Sequence, residues 1–319
     1  MALKNYKSFP LLEEYLNYLT VIKGRSLNTV IEYRTDILMF LQFMNEKREV
    51  DIAKYDLSNI DADYLRSIEL NDMYSFISHC QNDKNSSAGT RSRKIVSIRQ
   101  FWKYLRTKAH VLEQNIAEEL ETPKIPKRIP KYLTLEESIR LLIECEKSPR
   151  DHLIITMFLN CALRLSELTS IDVYQVTGDT LNIIGKGNKE RRIFLTPATK
   201  KAINEWLEER KKLNPSTNAL FVTKNLTRIT NRSVQDIVKK YIKKAGLEHR
   251  NISTHKLRHT AATLMYQYGN ADLRSLQEIL GHTSVATTEI YTHCSSNQLE
   301  RTINANPLSN MFGVNGGGR

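Results

Sequence analysis

The 319-residue chain has no apolar run suited to a membrane helix. Its longest such stretch, Leu153 to Leu159, is broken by Thr156 and is far shorter than the roughly 20 residues a bilayer span needs. The start, MALKNYKSFPLLEEYL, lacks an apolar segment followed by a small-residue cleavage site, so a cytoplasmic address is expected. The four cysteines (Cys80, Cys145, Cys161, Cys294) are scattered without a CxxC pair, which argues against a zinc ribbon or a disulfide framework and predicts reduced thiols. No GxxxxGK[ST] loop is present, and Gly185-Lys186-Gly187 leads into a strand-like segment rather than a helix, so ATP chemistry is unsupported. No serine sits in a nucleophile-elbow context. His255 and His259 have the four-residue spacing of two zinc ligands, yet Lys256 stands where a zincin places its glutamate and no third ligand follows at a convincing distance. Neither a metal nor another cofactor is expected.

A further absence is local. Between Lys84 and Lys108 there are eight basic residues and no acid. The whole chain has 47 Lys+Arg against 35 Asp+Glu, a net charge of +12, and a field of that sign attracts polyanions. The surplus is uneven: residues 1–121 carry 17 basic and 17 acidic side chains, residues 122–131 four basic and none acidic, and residues 132–319 carry 26 basic and 18 acidic.

Two domains are expected, because 319 residues with 40% hydrophobic content exceed a single compact core. The boundary is the basic, proline-rich stretch 122–131, where Pro123, Pro126 and Pro130 each remove a backbone donor and disfavour helix in the preceding residue. Thr134 followed by Glu137 forms a capping-box pattern that starts a new helix. In the first domain, Tyr33, Ile37, Phe40, Leu41 and Met44 recur at helical spacing within 26–46, with Ser26 or Thr29 as a cap. In 90–107, Ile95, Ile98, Phe101, Trp102 and Leu105 form one apolar stripe, and Arg99, Lys103 and Arg106 gather beside it. That basic face suits a polyanion, and equally an ordinary solvated surface. The second domain reads as helices near 134–147, 150–162, 197–212, 231–245, 255–268, 272–280 and 284–292. Val176, 180–184 and 192–195 make a small antiparallel sheet around turn signals at 177–179 and 185–188. The fold class is therefore mainly α (α+β), with the Gly-rich end GVNGGGR as a flexible terminus.

Three clusters carry the chemistry: ALRLSEL around Arg164, HKLRH at 255–259, and LGH at 280–282 followed nine residues later by Tyr291. Each alone is weak, since an Arg with a Glu three residues on is usually a structural pair and the chain has 14 tyrosines. Together with Lys186 on its tight turn they suit attack on a phosphodiester. Guanidiniums match the charge that builds on the nonbridging oxygens without a metal. A tyrosine hydroxyl can attack and store the bond energy as a phosphotyrosine for rejoining.

In this order the residues resemble the tyrosine recombinase (phage integrase) family: Arg164, Lys186 in IIGKGNKER, His255 and Arg258 in THKLRHTAAT, His282 in LGH, and Tyr291 in TTEIYTH. SLNTVIEYRTDILMF and TRSRKIVSIRQFWKYL are similar to the family's core-binding (SAM-like) domain. The resemblance implies a helical DNA-binding domain over 1–121, the linker 122–131, and a catalytic domain of the DNA breaking-rejoining fold over 132–295. A tail over 296–319 would pack on a neighbouring protomer, fold back in cis or fray. It also implies roles: Tyr291 attacks the scissile phosphate to leave a 3′-phosphotyrosine, Lys186 protonates the leaving oxygen, and His255 assists proton removal. Arg164 and Arg258 neutralise the charge, His282 hydrogen-bonds it, and Glu167 buttresses the site. Two flanking arginines agree with this division, because they favour ionised tyrosine and lower a nearby lysine's pKa.

The implied partner is duplex DNA with paired half-sites, clamped between the two domains by a homo-tetramer or a hetero-tetramer with a related recombinase. A regulatory translocase or accessory proteins are further partners of such enzymes, and a membrane is not. Lys94, Arg99, Lys103 and Arg106 would face DNA from the first domain. In the second, Arg228, Asn231, Arg232 and Gln235 stand at a helix start suited to the major groove, or to an ordinary polar helix end. Without an added arm-binding domain, the chain looks most like the bacterial Xer type, which resolves chromosome dimers at the nucleoid. An integrase of a phage or mobile element, a type IB topoisomerase and a non-catalytic DNA-binding protein remain as alternatives.

Overall fold

The computed structural model describes residues 8–48, 57–125, 131–184, 190–269 and 272–281. The chain divides into two compact units, Met1–Lys127 and Arg128–Arg319.

The first unit is helical: α1 (Pro10–Asn17) running into a π-helical turn (Tyr18–Ile22), α2 (Leu27–Lys47), α3 (Ala62–Arg66), α4 (Leu70–Asn82) and α5 (Ala88–Thr107). Ser26 caps α2 by accepting from Thr29 N, and Ser87 caps α5 by accepting from Thr90 N. The apolar stripes anticipated on these two helices meet in the core. Ile37, Phe40, Leu41 and Met44 of α2 and Ile95, Ile98, Phe101, Trp102 and Leu105 of α5 are all completely buried. The Phe40 ring meets Trp102 edge-on at 5.7 Å and packs against Phe76 of α4 at 5.2 Å. Each such side chain withdrawn from water contributes roughly 1.5–3 kcal/mol, so this face holds the unit together.

In the second unit, α6 (Leu135–Cys145) starts with the anticipated capping box: Thr134 Oγ1 accepts from Glu137 N at 3.2 Å, and Glu137 Oε2 accepts from Thr134 N at 2.9 Å. Next comes α7 (Pro149–Cys161), which is buried on every side from Leu153 to Leu159 and forms the centre of the core. It is surrounded by α6, α9 (Pro197–Leu213) and α11 (Thr254–Tyr268), while α8 (Leu165–Ser170) and α10 (Asn231–Lys244) pack together beside it. The last described helix, α12 (Leu273–Leu280), lies on α11. Three antiparallel strands, β1 (Val176–Thr177), β2 (Thr180–Ile184) and β3 (Glu190–Phe194), are arranged in that order. The register pairs Leu181 with Ile193 and Ile183 with Arg191, so an arginine shares the inward face with three apolar residues.

Among the described residues no helix is long and apolar enough to cross a membrane. Cys80, Cys145 and Cys161 are buried free thiols, and burial pushes Cys145 and Cys161 up to about 12, so neither ionises near neutral pH. Cys294, the segment 284–292 and the tail 296–319 lie outside the described residues, as does 126–130 of the proline-rich stretch.

Candidate active site

The site is built where α7 ends. Ala162 adopts a left-handed conformation (φ 49°), which stops the helix and turns its carbonyl toward α11, where Arg258 Nη1 donates to it at 2.7 Å. Two residues later Arg164 precedes the first turn of α8, and Glu167 folds back to accept from Arg164 N at 2.7 Å. Glu167 is 4% exposed and gathers three guanidiniums. Arg164 Nη1 donates to it at 2.7 Å, Arg191 of β3 donates through Nη1 and Nη2 at 2.8 Å each, and Arg258 Nη1 approaches to 3.6 Å. Burial alone would raise the Glu167 carboxyl, but the Arg191 fork, the Arg164 N–H and the adjacent positive charges outweigh it and hold the group at about 2.

The same three arginines take three successive carbonyls at the C-terminus of α12. Arg191 Nε donates to Ile279 O at 3.2 Å, Arg258 Nη2 to Leu280 O, and Arg164 Nη2 to Gly281 O at 2.8 Å. These are the unpaired carbonyls a helix end exposes, and cations suit that end of the dipole. Gly281 has φ 59°, and a Cβ there would lie 3.4 Å from Arg191 Nη1 and 3.5 Å from Arg164 Nη1, so glycine provides both the turn and the space. Exposure then separates the arginines: the Arg258 side chain is 3% exposed, Arg191 14% and Arg164 34%.

His255 sits in the first turn of α11, its ring 4.4 Å from that of His259 and nearly perpendicular to it. Partial desolvation, followed by the charges of Arg258 and Arg164, lowers the His255 pKa, so the imidazole is neutral at pH 7 and able to accept a proton. No group of three His, Cys, Asp or Glu placed to hold a metal occurs among the described residues. Lys186, His282 and Tyr291 lie outside the described residues. Arg191 is absent from the sequence-derived set. Its signal is the alternation of β3, which points it inward with Ile193 while Glu190, Arg192 and Phe194 point out.

The candidate DNA-facing residues divide. Lys94 is corrected: it is 4% exposed, and its Nζ donates to buried Asp36 Oδ1 at 3.0 Å, so it holds α5 to α2 and presents no charge to a ligand. Arg93 and Ser97 complete that cluster, donating to Asp36 Oδ2. Arg99 is half-buried and donates to Ala117 O and Glu118 O, both at 3.3 Å. Lys103 and Arg106 are exposed. Arg228 pairs with Asp172 and also donates to Thr169 O and Ile171 O, bracing the approach to α10. Asn231 Oδ1 accepts from Thr169 Oγ1 at 2.8 Å, and Arg232 pairs with Asp236 at 3.2 Å while its side chain stays 81% exposed. Gln235 is exposed on the same helix.

Comparison with known proteins places both units. Residues 131–298 match the phage integrase family, and residues 12–109 match the N-terminal SAM-like domain of phage integrases. The chain is 46% identical over 308 residues to tyrosine recombinase XerC of Caldanaerobacter subterraneus subsp. tengcongensis, covering 94% of this chain and 87% of that protein. It is 34% identical to tyrosine recombinase XerC of Natranaerobius thermophilus, covering 91% and 97%. In fold it is similar to the XerH site-specific recombinase crystallised with its difH substrate before cleavage. That likeness has a TM-score of 0.69 at 24% identity and covers 92% of this chain and 83% of that one.

Proposed function

Because the chain belongs to the phage integrase family of tyrosine recombinases, we propose that the arginine cluster around Glu167 receives the scissile phosphate of a DNA strand. The protein is a site-specific recombinase most like the Xer type, an enzyme that cleaves and religates DNA. The observation that carries the phosphate assignment is the charge surplus of the cluster. Three guanidiniums face one carboxylate, and the most exposed, Arg164, lies at the surface of the group.

In the proposed reaction the Tyr291 hydroxyl oxygen attacks phosphorus. The bond to the 5′ oxygen breaks, leaving a 3′-phosphotyrosine and a 5′-hydroxyl. The tyrosine proton passes to neutral His255, and Lys186 supplies the proton the leaving oxygen needs. Arg164 and Arg258 counter the charge that grows on the nonbridging oxygens, with His282 as a further donor, and each contact is stronger in the transition state than in the ground state. Attack by the 5′-hydroxyl of a partner strand reverses the steps, so no nucleotide is consumed. Lys103 and Arg106 would contact phosphates, and Asn231, Arg232 and Gln235 base edges. The working unit is a homo-tetramer or hetero-tetramer on two paired half-sites of duplex DNA, and the task in the cell is resolution of chromosome dimers at the bacterial nucleoid, with a translocase as activator.

A nicked half-site, which traps the covalent intermediate by loss of the short 5′-hydroxyl fragment, tests the chemistry. Wild type should accumulate a DNA–protein adduct resistant to denaturant and Tyr291→Phe none. An adduct from the phenylalanine variant, or none from wild type on its cognate site, overturns the assignment.

A further inference from the structure

Glu167 poses an electrostatic problem for a phosphate site. A buried carboxylate beside Arg164 and Arg258 repels the anion those arginines are there to hold. Arg191 resolves it. An ionised carboxylate offers about four lone-pair positions. All four are filled here, by Arg164 N, Arg164 Nη1, Arg191 Nη1 and Arg191 Nη2, at 2.7, 2.7, 2.8 and 2.8 Å. Arg191 thus supplies half of the hydrogen bonds and one whole charge. Its third committed donor, Nε, goes to Ile279 O, three residues before His282 in the chain. All three of its guanidinium nitrogens donate to acceptors inside the protein, so Arg191 works within the cluster.

We propose that Arg191 is a positioning residue of the strand-cleavage reaction. Its planar fork cancels the charge of Glu167, which leaves the charges of Arg164 and Arg258 to the scissile phosphate. Its Nε bond fixes the end of α12. A lysine would return the charge but not the fork, because an ammonium cannot bind both carboxylate oxygens in one plane. This inference rests on the phosphate assignment above.

The test uses the full chain on nicked half-sites bearing either the ordinary scissile phosphate or an uncharged methylphosphonate. Arg191→Met should slow adduct formation on phosphate by roughly 10²-fold, the scale of losing one fixed electrostatic group in an active site. On methylphosphonate, which carries one negative charge fewer in both the ground state and the transition state, the loss should be smaller. Adding Glu167→Gln removes the carboxylate charge that Arg191 cancels, so the double variant should regain about tenfold on phosphate, or 1.4 kcal/mol. A purely structural role makes the double variant no better than the single one. Should Arg191→Met fail to bind the half-site, Arg191→Lys takes its place, with an intermediate rate and the same substrate contrast.

A wild-type rate in the substituted protein, equal losses on the two substrates, or no recovery in the double variant would overturn the proposal. Failure of the underlying reading has a different signature, since wild type itself then forms no adduct or Tyr291→Phe forms one.

Discussion

Asp36 in the first unit and Glu167 in the second are both carboxylates buried among cations, and their clusters differ in charge balance. In the first, Asp36 is completely buried and bound by Lys94, Arg93 and Ser97, and Arg93 also lies 3.9 Å from Glu32, so two cations meet two anions. In the second, Glu167 meets Arg164, Arg191 and Arg258, three cations against one anion. A balanced cluster between two helices fixes their register and offers a ligand nothing. An unbalanced one, partly open at Arg164, stores positive potential for an anion. Burial of charge is therefore a poor marker of function by itself.

The largest expected effect separates the clusters by removing the balanced one. Asp36→Ala leaves Lys94 buried without its anion and should cost roughly 3–5 kcal/mol in the first unit's stability by urea denaturation. Adduct formation per DNA-bound molecule should stay unchanged, and a specific loss of cleavage would break the distinction.

Acid should affect the second cluster next. Glu167 is held at about 2 in the fold against an ordinary 4.5, so its ionised form stabilises the native state. That contribution is complete above about pH 4.5 and disappears as pH falls toward 2, to a total of roughly 3 kcal/mol. The stability difference between wild type and Glu167→Gln should shrink through that window in urea titrations. A difference that stays flat from pH 6 to pH 3 would mean that the arginines do not hold the carboxylate as described.

The smallest effect distinguishes two lysines of α5. Lys103→Ala should lower the slope of log affinity against log salt by about 0.9 through loss of one phosphate contact. Lys94→Met should destabilise the first unit while leaving the slope intact. Equal slopes for wild type and Lys103→Ala would remove that face from the DNA interface.

The misplacement of Lys94 shows where sequence reading stops. The acid-free stretch 84–108 is real, but Asp36, the partner that neutralises Lys94, is 58 residues away on another helix, and local charge counting has no term for it. Arg191 escapes for a related reason: it reads as one basic residue among several in NKERRIF, and only strand register turns it inward onto Glu167. Helices bounded by caps and period were legible to within a few residues, α2 at Leu27–Lys47 against 26–46 and α5 at Ala88–Thr107 against 90–107. The same period is present in α4, where Met73, Phe76 and Cys80 are the buried positions.

Local rules of period, capping and turn chemistry, together with the ordered set Arg164, Lys186, His255, Arg258, His282 and Tyr291, were enough to determine the helical class, the small sheet and the recombinase family from sequence alone. Tertiary structure decided which charges cancel. Coulomb attraction depends on distance through the fold rather than along the chain, so only packing could make Lys94 a brace and leave Arg164 and Arg258 with charge in excess.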